Sequence, residues 1–216
     1  LEDVQESVAN EHLARKMNGC KIDSITWKWN DGEPVEEEIN YIAQSVTYGS
    51  GSKSAITAIG SQPYMWSMVN FNFSGGGLNG PLTEIKSGHF TLKNNLITAH
   101  YVGQSGTLTG NPSRAIGEQI PGPLEYEGEI VSNMAVGTGG DLYYNLYRGG
   151  SEFNANLFIF RTSGTDDVNF WMSGCKAMDC KQPTVKEGVI EQTLTFQPKN
   201  CGCIVRVDAA AGSAPA

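Results

Sequence analysis

The sequence predicts a mainly β fold: a β-sandwich or barrel carrying one or two short helices. Three observations predict it. Glycine occupies 26 of the 216 positions, a share well above the usual value of about 7%. Charged residues make up only 18%, below the usual value of about 25%, which disfavours long solvated helices. Apolar or alternating runs are separated by Gly-, Asn- and Pro-rich turns, with no βαβ alternation between them. Hydrophobic residues, at 39%, are enough to fill a core. No apolar run approaches the ~20 residues that cross a bilayer, so membrane insertion is not expected. With no repeat and no composition break, the chain reads as one domain over 1–208 followed by a flexible tail, AAAGSAPA, over 209–216.

Taken in order, Val4 to Met17 (VQESVANEHLARKM) reads as a short helix closed by Asn18-Gly19, with a thin apolar stripe of Val4, Val8 and Leu13. KIDSITWKWN and VEEEINYIAQSVTYG read as strand, turn, strand around Asp31-Gly32-Glu33-Pro34. Ile25, Trp27 and Trp29 share one strand face, and Ser24, Thr26, Lys28 and Asn30 share the other. In the second strand Val35, Ile39, Tyr41 and Ala43 alternate with Glu36, Glu38, Asn40 and Gln44. Gly49 to Gln62 reads as a long loop. PYMWSMVNFNF reads as a strand, Gly75 to Gly80 as a turn, and EIKSGHFTLKNNL as a strand ending at Asn94-Asn95. An irregular stretch follows from Gly103 to Gly122. PLEYEGEIVSNMA is a strand with Glu125, Glu127 and Glu129 on one face. GGDLYYNLYRGG is a short helix capped by Asp141 and stopped by Gly149-Gly150. EFNANLFIFR, DVNFWMSG, IEQTLTFQP and CIVRVD complete a set of about nine strands.

The formal charge of −8 disfavours tight nucleic-acid binding, which rests on Lys and Arg displacing counterions from phosphates. The five cysteines, Cys20, Cys175, Cys180, Cys201 and Cys203, are too few for a disulfide scaffold in a chain this long. Cys175-x4-Cys180 and Cys201-Gly202-Cys203 lack the C-x2-C pair of a zinc site, so no metal is expected; free or buried thiols are the first expectation and a disulfide within this group the second. No secretory signal is visible, and the start at Leu1 suggests a missing or processed beginning; reduced thiols and intracellular synthesis follow. GSGSKS at Gly49–Ser54 lacks the phosphate-loop pattern, because Ser52 stands before Lys53 and no helix follows. His12, His89 and His100 have no partner at metal-ligand spacing, and there is no G-x-S-x-G elbow. Glu36 to Glu38, the Glu125/Glu127/Glu129 set and Asp166-Asp167 read as solvated faces or as a wall that repels phosphate. Asn72-Phe73-Ser74 matches a glycosylation acceptor inside an apolar strand and reads as chance.

The order of GCKIDSITWKWNDGEPVEEEINYIAQSV, FTLKNNL, RAIGEQIPGPLEYEGEI, DLYYNLYRGGSEFNANLFI and EGVIEQTLTFQPK resembles the tail tube (major tail) proteins of tailed bacterial and archaeal viruses, over about Asn18 to Lys199. The long Gly103–Gly122 stretch and the Cys-rich C-terminus fit that pattern less well. The resemblance implies a β-sandwich or barrel protomer with a flanking helix. It implies that six copies form a ring, that rings stack into a hollow tube, and that hairpin strands from every copy join one inner barrel. It further implies partners: other copies of the chain, a tape measure protein in the lumen, tail terminator and tail tip proteins, and double-stranded DNA in transit. The place is the virion tail, after synthesis in host cytoplasm. No cofactor and no catalysis are implied.

The residues suit such a role independently. A hairpin with one apolar and one polar face closes a large barrel around water, and a neighbouring copy satisfies its edge. The candidate bore-facing set is Ser24, Thr26, Lys28, Glu36, Glu38, Asn40 and Gln44, with Lys28 moderating the glutamates' field. The candidate inter-ring loop is Gly49–Gln62, beginning Gly49, Ser50, Gly51, Ser52, Lys53 and Ser54. Two other classes stay open. Trp27, Trp29, Trp66 and Trp171 would serve a carbohydrate-binding sandwich as stacking platforms, and a hydrolase would need an acid-base constellation that does not stand out.

Overall fold

A computed structural model describes residues 2–6, 12–50, 63–76, 78–82, 85–99, 118–133, 142–162, 166–181 and 191–206. The described residues are mainly strand, with one α-helix and one 3-10 turn. They group into two compact units, each assembled from non-contiguous segments. The first unit holds Leu1–Ile25, Glu38–Ser61 and Leu92–Glu125; the second holds Thr26–Glu37, Gln62–Thr91 and Tyr126–Ala216.

In the first unit, β1 (Glu2–Glu6) and β2 (His12–Asn18) form an antiparallel hairpin. β2 then pairs with β5 (Ser45–Ser50), Leu13 opposite Ser50 and Asn18 opposite Ser45. Where a helix was expected over Val4 to Met17, the described residues are therefore two paired strands, and residues 7–11 lie outside the described residues. The segment's apolar positions are too sparse to bury a helical stripe, whereas the β5 edge satisfies every second backbone group of β2. Gly49 and Ser50, expected in a loop, lie within β5 opposite Ala14 and Leu13. β9 (Ile97–Ala99) pairs with β10 (Glu118–Ile120), which places a strand inside the stretch expected to be irregular.

The Asn94-Asn95-Leu96 turn has a clear local cause. Asn95 takes φ +46°, a left-handed conformation that asparagine tolerates. The Asn94 N–H donates to the Asp23 carbonyl at 2.7 Å, and the Leu96 N–H donates to the Asp23 carboxylate at 2.7 Å. Asn95 Nδ2 donates to the Pro123 carbonyl at 2.8 Å, so this short motif ties three segments of the unit together.

The strands of the second unit lie in one continuous sheet that curls over its own core, so that two halves of the sheet form two layers. One layer holds the Thr26–Asn30 part of β3 (Lys21–Asn30), β8 (Ile85–Lys93) up to Thr91, β11 (Glu125–Asn133) and β14 (Glu191–Gln197). The other holds β12 (Phe153–Thr162), β6 (Val69–Gly75), β7 (Leu78–Leu82) and β15 (Asn200–Arg206). β13 (Asp166–Lys181) belongs to both. Its first part pairs with β12 and β15, and its last part pairs with β14. The strand turns between layers at Gly174, whose φ of +61° a residue with Cβ adopts only under strain. Cys175 is fully buried just past that corner.

Rings from the two layers meet in the core. Trp27 and Phe90 pack on Phe170, Trp29 on Phe71, and Phe196 on Phe71, Phe73 and Phe153. Each such side chain taken from water contributes about 1.5–3 kcal/mol. The helix α1 (Leu142–Gly149) falls where GGDLYYNLYRGG predicted it; the Asp141 cap lies outside the described residues. Tyr143 and Leu146 form its buried face, and the Gly150 N–H closes it on the Leu146 carbonyl at 3.1 Å. Two further expectations are corrected. The strand expected from Pro63 to Phe73 is interrupted by a 3-10 turn, Trp66–Met68, and the reversal expected over Gly75–Gly80 is confined near Gly75-Gly76, since Gly75 already pairs with Leu78. The tail at 209–216 lies outside the described residues.

Candidate functional site

The second unit carries a polar sheet face opposite the aromatic core. Because side chains alternate along each strand, burying Trp27 and Trp29 sends Thr26 and Lys28 to the other side. The Thr26 and Thr91 hydroxyls share a hydrogen bond at 3.0 Å. His89 Nδ1 lies 3.9 Å from Glu129 Oε1, and Lys86 pairs with Glu191. Glu129 stands opposite Thr195, which stands opposite Asp179 on β13, and Lys181 lies 3.7 Å from Asp179. Acids and lysines therefore interleave across this face. A wall of acidic and neutral side chains moderated by Lys28 was expected; Lys181 on β13, beside Asp179, adds a further lysine from a strand distant in sequence. The Glu191 contact holds the Lys86 ammonium above its ordinary range, chiefly through their hydrogen bond.

The predicted bore-facing residues divide between the units. Thr26, Lys28 and Glu36 lie in the second, and Ser24, Glu38, Asn40 and Gln44 in the first. Within the first unit, Asn40 Nδ2 donates to Ser24 Oγ at 3.2 Å and to Glu38 Oε1 at 3.4 Å, so these three residues form one cluster. Gln44 stands apart from them. β4 (Glu36–Ile42) ends before it, its backbone N–H donates to the Asn18 carbonyl at 3.0 Å, and its side chain lies over Gly19. Of the predicted inter-ring residues, Gly51, Ser52, Lys53 and Ser54 lie outside the described residues.

Two of the large sheet's edge strands carry exposed side chains among the described residues. β4 ends the ladder, and Glu36 to Asn40 are exposed on both of its faces, Ile39 at 47%. β15 pairs with β13 on one side, and its neighbouring residues Ile204 and Val205 are both exposed, Val205 at 61%. Adjacent strand residues point to opposite faces, so β15 also shows solvent both of its faces. Edges of this kind expose unpaired backbone groups and apolar side chains that a second strand satisfies. Sequence reading missed the β15 edge; the run Cys203 to Arg206 gave no hint of which partner was absent.

Burial pushes the Cys175 and Cys201 thiols up to about 12. Burial, then the nearby Glu37 carboxylate, raises Cys203. Among the described residues no group of three or more His, Cys, Asp or Glu is placed to hold a metal ion. Of the four tryptophans, Trp29 is buried and Trp27 and Trp66 pack on the core. Only Trp171, at 45%, is substantially exposed.

A family model described as phage tail tube protein matches residues 4–198. The chain belongs to the phage tail tube protein family. It is thus a structural component of a tail tube, and segments that carried the resemblance fall on defined elements: EYEGEI lies in β11, LYYNLYRG forms α1, and EQTLTF lies in β14. No curated protein matches the sequence. Among solved structures, the chain is similar to the SPP1 tail tube protein, with 13% identity, 68% of this chain and 83% of that chain covered, and a TM-score of 0.49. It is similar to a chain of the anti-feeding prophage baseplate, with 10% identity, 72% and 98% covered, and a TM-score of 0.47. A chain of the anti-feeding prophage cap aligns with 11% identity, 70% and 96% covered, and a TM-score of 0.44. The assignment rests on the family match.

Proposed function

We propose that this tail tube protein assembles into six-membered rings, stacked into a hollow tube that delivers double-stranded DNA. The observation that carries this reading is the open β4 edge, continuous in the ladder with β3 and exposed on both faces. Main-chain pairing of that edge with the next copy is a heterologous contact, which closes into a ring when the rotation per copy closes. Thr26, Lys28 and Glu36 of the second unit would then line the bore, and Ser24, Glu38 and Asn40 of the first are assigned to it as well. DNA slides past such a wall because lysines already paired to carboxylates, as in Lys86–Glu191 and Lys181–Asp179, displace few counterions from phosphate.

The same reading assigns a tape measure protein to the lumen, terminator and tip proteins to the tube ends, the virion tail as location, and no catalytic activity. The stretch from Gly49 and Ser50 into the 51–62 segment is the proposed contact with the next ring. The test is the double substitution Glu36→Lys, Glu38→Lys. Tubes of the variant are expected to form and to retain duplex DNA in a sedimentation assay at moderate salt, where wild-type tubes do not. Equal retention by both tubes would remove these residues from the bore.

A further inference from the structure

On the side of the sandwich opposite the proposed bore wall, β6, β12 and β13 frame a groove of about 540 Å³. Three neighbouring strands each contribute two outward side chains: Asn72 and Ser74, Asn154 and Asn156, Trp171 and Ser173. The register sets them in rows, with Asn72 opposite Asn156 and Asn156 opposite Trp171, and Ser74 opposite Asn154. None of the side chains lining the groove is charged.

Trp171 is a surface platform rather than a core residue. Its indole lies on Gly202 of β15, so closely that a Cβ there would sit 2.2 Å from ring carbons. The glycine therefore lets the ring lie against the strand while 45% of the residue stays exposed. The amide oxygens of Asn156 and Asn169, on this same face, make no hydrogen bond among the described residues and are shielded from water. An unmet acceptor costs about 1–3 kcal/mol, and rotating an amide toward the groove offers that oxygen to a hydroxyl donor.

We propose that this groove binds a neutral saccharide. A flat aromatic face suits the C–H face of a pyranose ring, and rows of amides and hydroxyls suit its equatorial hydroxyls. A neutral lining disfavours a phosphate backbone or a charged peptide, which would leave its charges uncompensated. In the assembled tube, this face would lie on the outside, where glycans of a cell envelope are met. That placement rests on the proposed bore; the binding itself does not.

The experiment uses the full chain. Maltohexaose, cellohexaose and chitohexaose are titrated against it, with tryptophan emission and calorimetry as readouts. Binding of at least one is expected, with a dissociation constant of about 0.1–1 mM. Trp171→Ala is expected to weaken it at least tenfold. Asn72→Arg, which fills the groove without touching the platform, is expected to do the same while leaving far-ultraviolet circular dichroism unchanged. Absence of binding to all three sugars overturns the proposal, as does binding that both variants retain. Loss of tube formation in Trp171→Ala with sugar binding intact identifies the face as a contact between copies and also overturns it. Failure of the bore reading shows instead in the DNA retention of tubes, which this titration does not measure.

Discussion

Gly128 lies opposite Phe196 in the β11–β14 pair, and a Cβ at that position would meet the ring's Cζ at 2.2 Å. Phe196 in turn touches three other rings of the core. Gly128→Ala is therefore expected to cost about 1–3 kcal/mol through overpacking, and Phe196→Ala about 3–5 kcal/mol through the cavity it leaves. The double mutant is expected to cost clearly less than the sum, because removing the ring removes the clash. Urea denaturation of the three variants measures this; additive losses would show that the two sites do not touch. The buried thiols give a second residue-level expectation. Cys175 holds its proton to about pH 12 in the fold, against an ordinary value of 9.0. The unfolded chain sheds that proton first, so the stabilisation is complete below pH 9.0 and falls away as pH rises toward 12. Iodoacetamide at pH 8 is expected to label the exposed Cys20 quickly and Cys175 only after denaturation, as peptide mass spectrometry reads. Rapid labelling of Cys175 in the folded protein would contradict the packing at the Gly174 corner.

At the scale of elements, alternation made the second unit legible. Trp27 and Trp29 against Thr26 and Lys28, and Leu194 and Phe196 against Thr193 and Thr195, declare their faces in the sequence; burial alternates with them along β14, and in β3 it singles out Trp29. The N-terminal hairpin was illegible for a physical reason. VQESVANEHLARKM contains good helix formers, and strand is chosen by pairing with β5, far along the chain, which no local pattern records. The Ser24–Asn40–Glu38 cluster was half-legible: parity grouped its members, but the end of β4 at Ile42, which excludes Gln44, depends on the turn that follows. For β4 itself, successive N–H groups point to opposite sides of the strand. Of Glu38→Pro and Ile39→Pro, one removes a donor that serves β3 and the other a donor on the open edge. The first is expected to lower the melting temperature. The second is expected to fold normally and to lose tube formation, as calorimetry and negative-stain microscopy show. Two folded variants that both assemble would exclude β4 as a copy-to-copy edge.

For the whole molecule, family membership fixes the role of tube component, while the open β4 edge and the mixed-charge face support how copies join and what passes between them. Both features are unfinished among the described residues: the β4 edge has no partner strand there, and the polar face is left to solvent. Assembly would resolve both at once. A cryo-electron-microscopy reconstruction of tubes formed by the full chain tests this most directly. The account predicts six copies per ring, β4 hydrogen-bonded to a strand of the adjacent copy, and Thr26, Lys28, Glu36 and Glu38 facing the lumen. Tubes in which Glu36 and Glu38 lie on the outer surface, or a protein that remains a lone protomer under all assembly conditions, would contradict it.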